Sequence, residues 1–108
     1  MIDDTLRSLE QRIQSAETLD VDSRAQLQEL VLKLRAEVDH LENEEQAESI
    51  LANADSGARE ALRQERDEDL FHHALEGMEK SVRGFSASHP DLAGVVNGIC
   101  QQLSNLGI

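Results

Sequence analysis

The chain has 108 residues, of which 30% are charged and 2% are aromatic, and its net charge at pH 7 is −12. This length suits a single domain, and the acidic balance excludes nucleic acid and anionic membranes as partners, because both require a basic surface. The single cysteine excludes an internal disulfide bond. Residues 1–4 do not resemble the basic start of a signal peptide, and no apolar run could span a membrane, so we expect a cytoplasmic protein.

The N-terminal part, residues 1–43, predicts an antiparallel helical hairpin. Its first helix, residues 2–17, has apolar side chains at alternating spacings of four and three, the period of a coiled-coil seam: Ile2, Leu6, Leu9, Ile13 and Ala16. Residues 18–20 form the expected turn, with Asp20 as the N-cap of the second helix. The second helix repeats the same spacing at Leu27, Val31, Leu34, Val38 and Leu41.

Residues 44–69 form an acidic middle segment whose structure the sequence leaves open. Ten acids and three bases lie between residues 42 and 69. Asp55-Ser56-Gly57 is the best candidate for a helix break, with Asp55 or Ser56 as a new N-cap. Residues 63–69 are all polar and cannot bury a face. We therefore expect a solvated helix that frays, or a mobile linker, outside the core.

Residues 70–108 predict a pair of helices. The first has an apolar stripe that Gly84 is placed to end: Phe71, Ala74, Leu75, Met78 and Val82. Joined to the hairpin, this pair predicts an all-α fold for residues 1–108. We expect one domain, an antiparallel helical bundle of three to four helices with coiled-coil-like seams.

The last helix is expected to begin at Pro90, whose missing N–H is no loss at the first helical position and which places His89 at the N-cap. At its other end, Gly107 suits the C′ position, with Ile108 in contact with Leu103. After Asp91 this helix has no charged side chain. A helix that is neutral most of the way round is expected to have neighbours on several sides.

Gly94 and Gly98 lie four residues apart inside this helix, where each glycine costs about 1 kcal/mol relative to alanine. Close approach of another backbone would compensate for that cost. The residues of this small, polar-edged face form a candidate association surface: Gly94, Asn97, Gly98 and Gln101. The face suits a helix of the same chain or a helix of a second copy, and the sequence leaves both open.

The C-terminal residues also carry a family resemblance. It rests on Phe85, His89, Pro90, Leu92, Asn97, Ile99, Leu103, Ser104, Asn105, Gly107 and Ile108. This set resembles the signature of a bacterial family of small acidic helical proteins, domain of unknown function 4404. The N-terminal hairpin is similar to that of the family, whereas residues 42–69 look like a longer, more acidic insertion. The resemblance implies a bacterial source and an all-α fold, and it carries no catalytic residue, because the family has no assigned activity.

His72 and His73 are the first side chains to consider as metal ligands. Adjacent residues on a helix point about 100° apart, so both cannot bind one ion. Asp69 and Glu76 lie at helical spacing from His72, but such a set makes a weak site, and we predict no metal and no cofactor. We expect the His89 imidazole either to accept hydrogen bonds as a cap or to pack in the turn, rather than to act as a base.

These patterns predict a non-enzymatic helical module that acts by protein–protein contact, as a homodimer or higher oligomer. The alternative is an acidic binder of a basic protein, or a mimic of nucleic acid, with the following surface: Glu42, Glu44, Glu45, Glu48, Asp67, Glu68 and Asp69. An enzyme would require a pocket that unites His72 or His89 with carboxylates.

Overall fold

The computed structural model describes residues 2–63, 65 and 67–106. Within them the chain forms five helices and no strand: α1 (Ile2–Ser15), α2 (Val21–Val38), α3 (Glu44–Ala61), α4 (Glu68–Phe85) and α5 (Pro90–Leu106). The all-α prediction is confirmed. The predicted number of three to four helices is wrong, because the acidic middle segment contributes a full helix, α3.

The five helices form a ring of four with one addition. α1, α2, α5 and α3 contact one another in that order around the ring, and α4 lies against both α3 and α5. α3 and α4 each have 18 residues and are therefore about 27 Å long. From Ala61 to Glu68 the chain has seven Cα–Cα steps and can span at most about 25 Å, which is less than the length of either helix, so α3 and α4 pack antiparallel.

The turn between α1 and α2 is fixed by three contacts. Asp20 is the N-cap of α2, as predicted, and its Oδ1 accepts a hydrogen bond from the Ser23 N–H at 2.8 Å. That bond holds the pKa of the Asp20 carboxyl below its ordinary value of 3.8. Leu19 is buried beneath the turn. The Arg24 guanidinium donates to the backbone carbonyls of Gln14, Ala16 and Leu19, which ties the end of α1 to α2.

The joint between α4 and α5 differs from the prediction in one respect. Gly84 does not end α4, which continues to Phe85, because that buried side chain completes the apolar stripe of the helix. α5 begins at Pro90, as predicted, and the His89 carbonyl accepts from the Ala93 N–H at 3.0 Å. The predicted C′ position of Gly107 and the predicted contact of Ile108 with Leu103 involve residues outside the described range.

α3 belongs to the core, and the expectation that residues 44–69 remain outside is wrong for this helix. One face of α3 is buried through a row of mostly small residues: Ala47, Ile50, Leu51, Ala54, Gly57, Ala58 and Ala61. The predicted break at residues 55–57 is also wrong. A Cβ atom at Gly57 would lie 2.5 Å from Met78 Sδ, so this glycine allows α4 to approach. Asp55 instead accepts a bond of 3.0 Å from Arg12 of α1.

Candidate association surface

The structure separates the residues of the predicted association surface. Gly98 is half-buried, and a Cβ atom there would lie 3.1 Å from Leu30 Cδ2, so this glycine allows α5 to pack closely on α2. Gly94 is exposed, and a Cβ atom there would meet no described atom within 4 Å. Asn97 and Gln101 are exposed as well. Gly98 thus serves packing within the chain, whereas the other three residues face solvent.

An open groove of about 490 Å³ lies between α2 and α5 beside Gly94. Half-buried Leu30 and Val95 give it apolar walls, and Lys33 of α2 and Asp91 of α5 belong to the same lining. The complete lining is Leu30, Lys33, Ala36, Glu37, Pro90, Asp91, Gly94 and Val95. These groups suit an apolar side chain of a protein partner, because charges of both signs border an apolar centre.

Net charge divides four of the five described helices into two sides, and α1, with a net charge of −1, lies between them. α2 has three acids and three bases, and α5 has a single acid, so together they have a net charge of −1. α3 has five acids and one base, and α4 has four acids and two bases, so together they have a net charge of −6. We call residues 21–38 and 90–106 the weakly charged side, and residues 44–61 and 68–85 the acidic side.

The proposed acidic binding surface does not form one patch. All seven of its carboxylates are exposed. However, Glu42, Glu44, Glu45 and Glu48 lie at the start of α3, whereas Asp67, Glu68 and Asp69 lie at the start of α4. Because α3 and α4 are antiparallel, the two groups are separated by about 27 Å, the length of one helix. A basic partner would have to bind either group alone or span the whole bundle.

A comparison of the sequence with known protein families assigns the chain to a family. A family model described as "Domain of unknown function (DUF4404)" matches residues 2–108. The chain belongs to this family. The match covers the hairpin and the acidic helix as well as the C-terminal signature. No curated protein and no solved structure matches the chain.

The residues that carry the resemblance to DUF4404 are largely structural. Phe85, Leu92, Ile99 and Leu103 are buried in the core. His89 is half-buried, and Pro90 is exposed at the first position of α5. Gly107 and Ile108, the last two signature residues, lie outside the described residues. The buried members of the signature in this DUF4404 chain therefore report how α4 and α5 pack, whereas its polar members Asn97, Ser104 and Asn105 are exposed and line a groove between these two helices.

The histidines of this DUF4404 chain do not come together. His72 and His73 are exposed near the start of α4, and the His72 ring lies 5.8 Å from the Phe71 ring. His89 follows the other end of α4, about 20 Å along the helix. Its imidazole has no hydrogen-bond partner among the described residues, so of its two predicted roles the side-chain cap is not formed, and the half-buried ring agrees with packing in the turn. Within the same residues, no three histidine, cysteine or acidic side chains are grouped to hold a metal ion.

Cys100 lies buried on α5, beside a groove between α4 and α5 that Glu79 also lines. Burial, and to a smaller extent the negative charge of Glu79, raises the pKa of the Cys100 thiol. The thiolate form is therefore disfavoured at neutral pH, and the side chain acts as a small apolar residue of the core.

Among the described helices, none is long and apolar enough to cross a membrane.

Two features were missed by reasoning from sequence. Glu60 on α3 is buried, with 6% of its surface exposed. Its Oε1 accepts a bond of 2.9 Å from Arg63, whereas Oε2 has no partner within the described chain. Val21 and Leu32 on α2 are 83% and 64% exposed. The exposure of Val21 and Leu32 could have been predicted from the sequence, because both residues lie off the apolar stripe that α2 uses for the core.

Proposed function

We propose that this DUF4404 protein is a non-enzymatic helical module that acts by protein–protein contact, and that its principal partner is a second copy of the chain. The observation that supports this proposal is the division of charge between the two sides of the bundle. The weakly charged side has a net charge of −1 and exposes apolar groups, whereas the acidic side has a net charge of −6.

Charge determines where two copies can meet. Each chain has a net charge of −12, so two acidic sides repel each other at contact distance. A stable interface buries about 800 Å² of each partner and excludes charged residues from its centre. The exposed residues of α5 after Asp91 are neutral, and the groove next to them has both signs of charge. The weakly charged side is thus the part of the surface best suited to such an interface.

The separation of the histidines supports a non-enzymatic role. General acid–base catalysis needs a titratable side chain within hydrogen-bond reach of the substrate, usually oriented by a second polar group. His72 and His89 lie near opposite ends of α4, so they cannot act on one small substrate. The groove beside Gly94 has neither a histidine nor a cysteine in its lining.

The experiment compares two glycines that differ only in position. Gly94 and Gly84 are both exposed helical residues, and a Cβ atom at either would meet no described atom within 4 Å. Gly94→Leu and Gly84→Leu should therefore both fold. Light scattering gives the molar mass, with concentration from refractive index because the chain has no tryptophan or tyrosine.

We expect wild type and Gly84→Leu to form dimers of the same affinity. We expect the Gly94→Leu dimer to be weaker and to dissociate at a higher protein concentration. A wild type that is monomeric at every concentration would contradict the proposal. A Gly94→Leu protein as dimeric as Gly84→Leu would remove α5 from the contact.

A further inference from the structure

α2 has a second row of side chains, three apolar and one polar, that the bundle core does not use. Its core row is Leu27, Val31, Leu34 and Val38, all buried. A second row, which we call the outer row, consists of Val21, Ala25, Gln28 and Leu32, all exposed. The outer row has spacings of four, three and four, which is the heptad period of a helix that packs against another helix. Its members lie within about 60° of one another around the helix.

The outer row contains the two most exposed large apolar side chains of the described residues, Val21 and Leu32. Large apolar side chains on a second side of a helix are typical of a helix with neighbours on both sides. α1 and α5 already flank the core row of α2. The outer row therefore lies off the core side of α2, and its two large apolar side chains, Val21 and Leu32, are left mostly exposed within the described chain.

A cleft of about 280 Å³ lies between α1 and α2 next to Leu32. Its floor is formed by Ile13 and Val31, both 1% exposed. Its rim is polar and consists of Glu10, Gln14 and Gln28. The one charged group of the rim, Glu10, is paired with Arg35 of α2 at 2.8 Å. An apolar floor with a polar rim of no net charge is the composition of the centre of a protein–protein interface.

We infer that the outer row of α2 is the centre of the contact between two copies, with Leu32 of each chain placed over the cleft of the other. This inference rests on the proposed function and locates its interface. A second copy is the fitting occupant because it brings the same heptad row, and because α2 itself has no net charge. The contact is continuous with the groove beside Gly94, since Ala36, one turn beyond Leu32, lines that groove.

The test uses a matched pair of exposed leucines. Leu32 on α2 is 64% exposed, and Leu70 on α4, on the acidic side, is 47% exposed. Leu32→Glu and Leu70→Glu remove the same side chain and add the same charge. We expect Leu32→Glu to weaken dimerisation by at least about 30-fold, as a substitution at an interface hot spot does, and Leu70→Glu to leave it unchanged. Leu32→Ser and Leu70→Ser repeat the comparison without the added charge.

The outcomes separate this inference from the proposed function. Dimeric wild type with monomeric, fully helical Leu32→Glu and Leu32→Ser supports the inference. Dimeric wild type together with Leu32 variants as dimeric as the Leu70 variants overturns the inference and leaves self-association standing. A monomeric wild type overturns both. Circular dichroism of each variant shows whether it is folded.

Discussion

A comparison of α3 on the acidic side with α2 on the weakly charged side separates the net charge of a helix from its burial. α3 has a net charge of −4, yet it contacts α1, α4 and α5 and has a continuous buried face. α2 has no net charge, yet it leaves Val21 and Leu32 exposed. The charge of a helix thus does not report its place in the bundle, because a helix can direct its carboxylates outward along one face. The distribution of residues around the helix decides what is buried.

The sharpest test of this contrast replaces one leucine on each side by alanine. Leu51 of α3 is fully buried, whereas Leu32 of α2 is 64% exposed. We expect Leu51→Ala to lower the free energy of unfolding by about 2–5 kcal/mol, and Leu32→Ala to change it by less than about 0.5 kcal/mol at concentrations where the protein is monomeric. Chemical denaturation followed by circular dichroism measures both. Equal losses would show that α3 is not a core helix.

Glycines give a second contrast between the two sides. A side chain at Gly57 of α3 meets buried Met78 and Leu103, whereas one at Gly94 of α5 points into open space. We expect Gly57→Leu to destabilise the monomer by about 1–3 kcal/mol or more through overpacking, and Gly94→Leu to leave it at least as stable as wild type. Thermal unfolding of the two variants measures this difference. A stable Gly57→Leu protein would mean that α3 and α4 do not approach closely at this point.

Glu60 tests whether the acidic side contains a destabilising buried charge. Its carboxylate is buried with one oxygen unpartnered among the described residues, and its partner Arg63 has a half-exposed side chain. Replacement by a flexible apolar residue should therefore stabilise the fold. We expect Glu60→Met to raise the free energy of unfolding by about 1 kcal/mol. Glu45→Met, on the exposed face of the same helix, is the control and should have no clear effect. A loss of stability in Glu60→Met would show that the ion pair with Arg63 is net favourable.

Alanine substitution of three helical glycines sharpens the description of the weakly charged side. Gly84 and Gly94 have no described neighbour within 4 Å, whereas Gly98 has Leu30 Cδ2 at 3.1 Å from the new Cβ. Alanine at Gly84 or Gly94 should stabilise the monomer by about 1 kcal/mol through helix propensity. Alanine at Gly98 should give less, because Leu30 must shift. Thermal unfolding ranks the three, and an equal gain at Gly98 would contradict close packing of α5 on α2.

The N-cap of α2 makes a small contribution that depends on pH. The Ser23 amide lowers the pKa of Asp20 in the folded state. Because the pKa of Asp20 is lower in the folded state than its ordinary value of 3.8, the stabilisation by the cap is complete above pH 3.8. It is lost as the pH falls through the folded-state pKa. Asparagine keeps the acceptor oxygen without titrating. Asp20→Asn should therefore match wild type at pH 7 and lose less stability in acid, as acid unfolding curves would show. Identical acid curves would argue that the cap does not contribute.

Local signals were sufficient to predict much of the fold. The Asp20 cap and the start of α5 at Pro90 depend on neighbouring residues alone, and the structure has both. α3 was misread because its buried face is mostly alanine, whose periodicity is weak, and because Gly57 resembles a break. Only the position of Met78 in another helix shows that Gly57 is needed for close packing.

The candidate site was predictable only in part. The exposed position of Gly94 and the packed position of Gly98 depend on where α2 lies, which the spacing of two glycines cannot reveal. Val21 and Leu32 were visible as apolar residues outside the core stripe of α2. Whether these two side chains are buried could be decided only from the positions of the helices that contact α2. An apolar residue off the main stripe can either widen the core or face solvent.

The most direct test of the central claim is the molar mass of wild type by light scattering from about 0.01 M to about 1 M salt, over which the Debye length falls from about 30 Å to about 3 Å. Contact through the weakly charged side predicts a dimer throughout, with affinity that holds or rises with salt as repulsion between the acidic sides is screened. A protein that is monomeric at all salt concentrations would contradict the account.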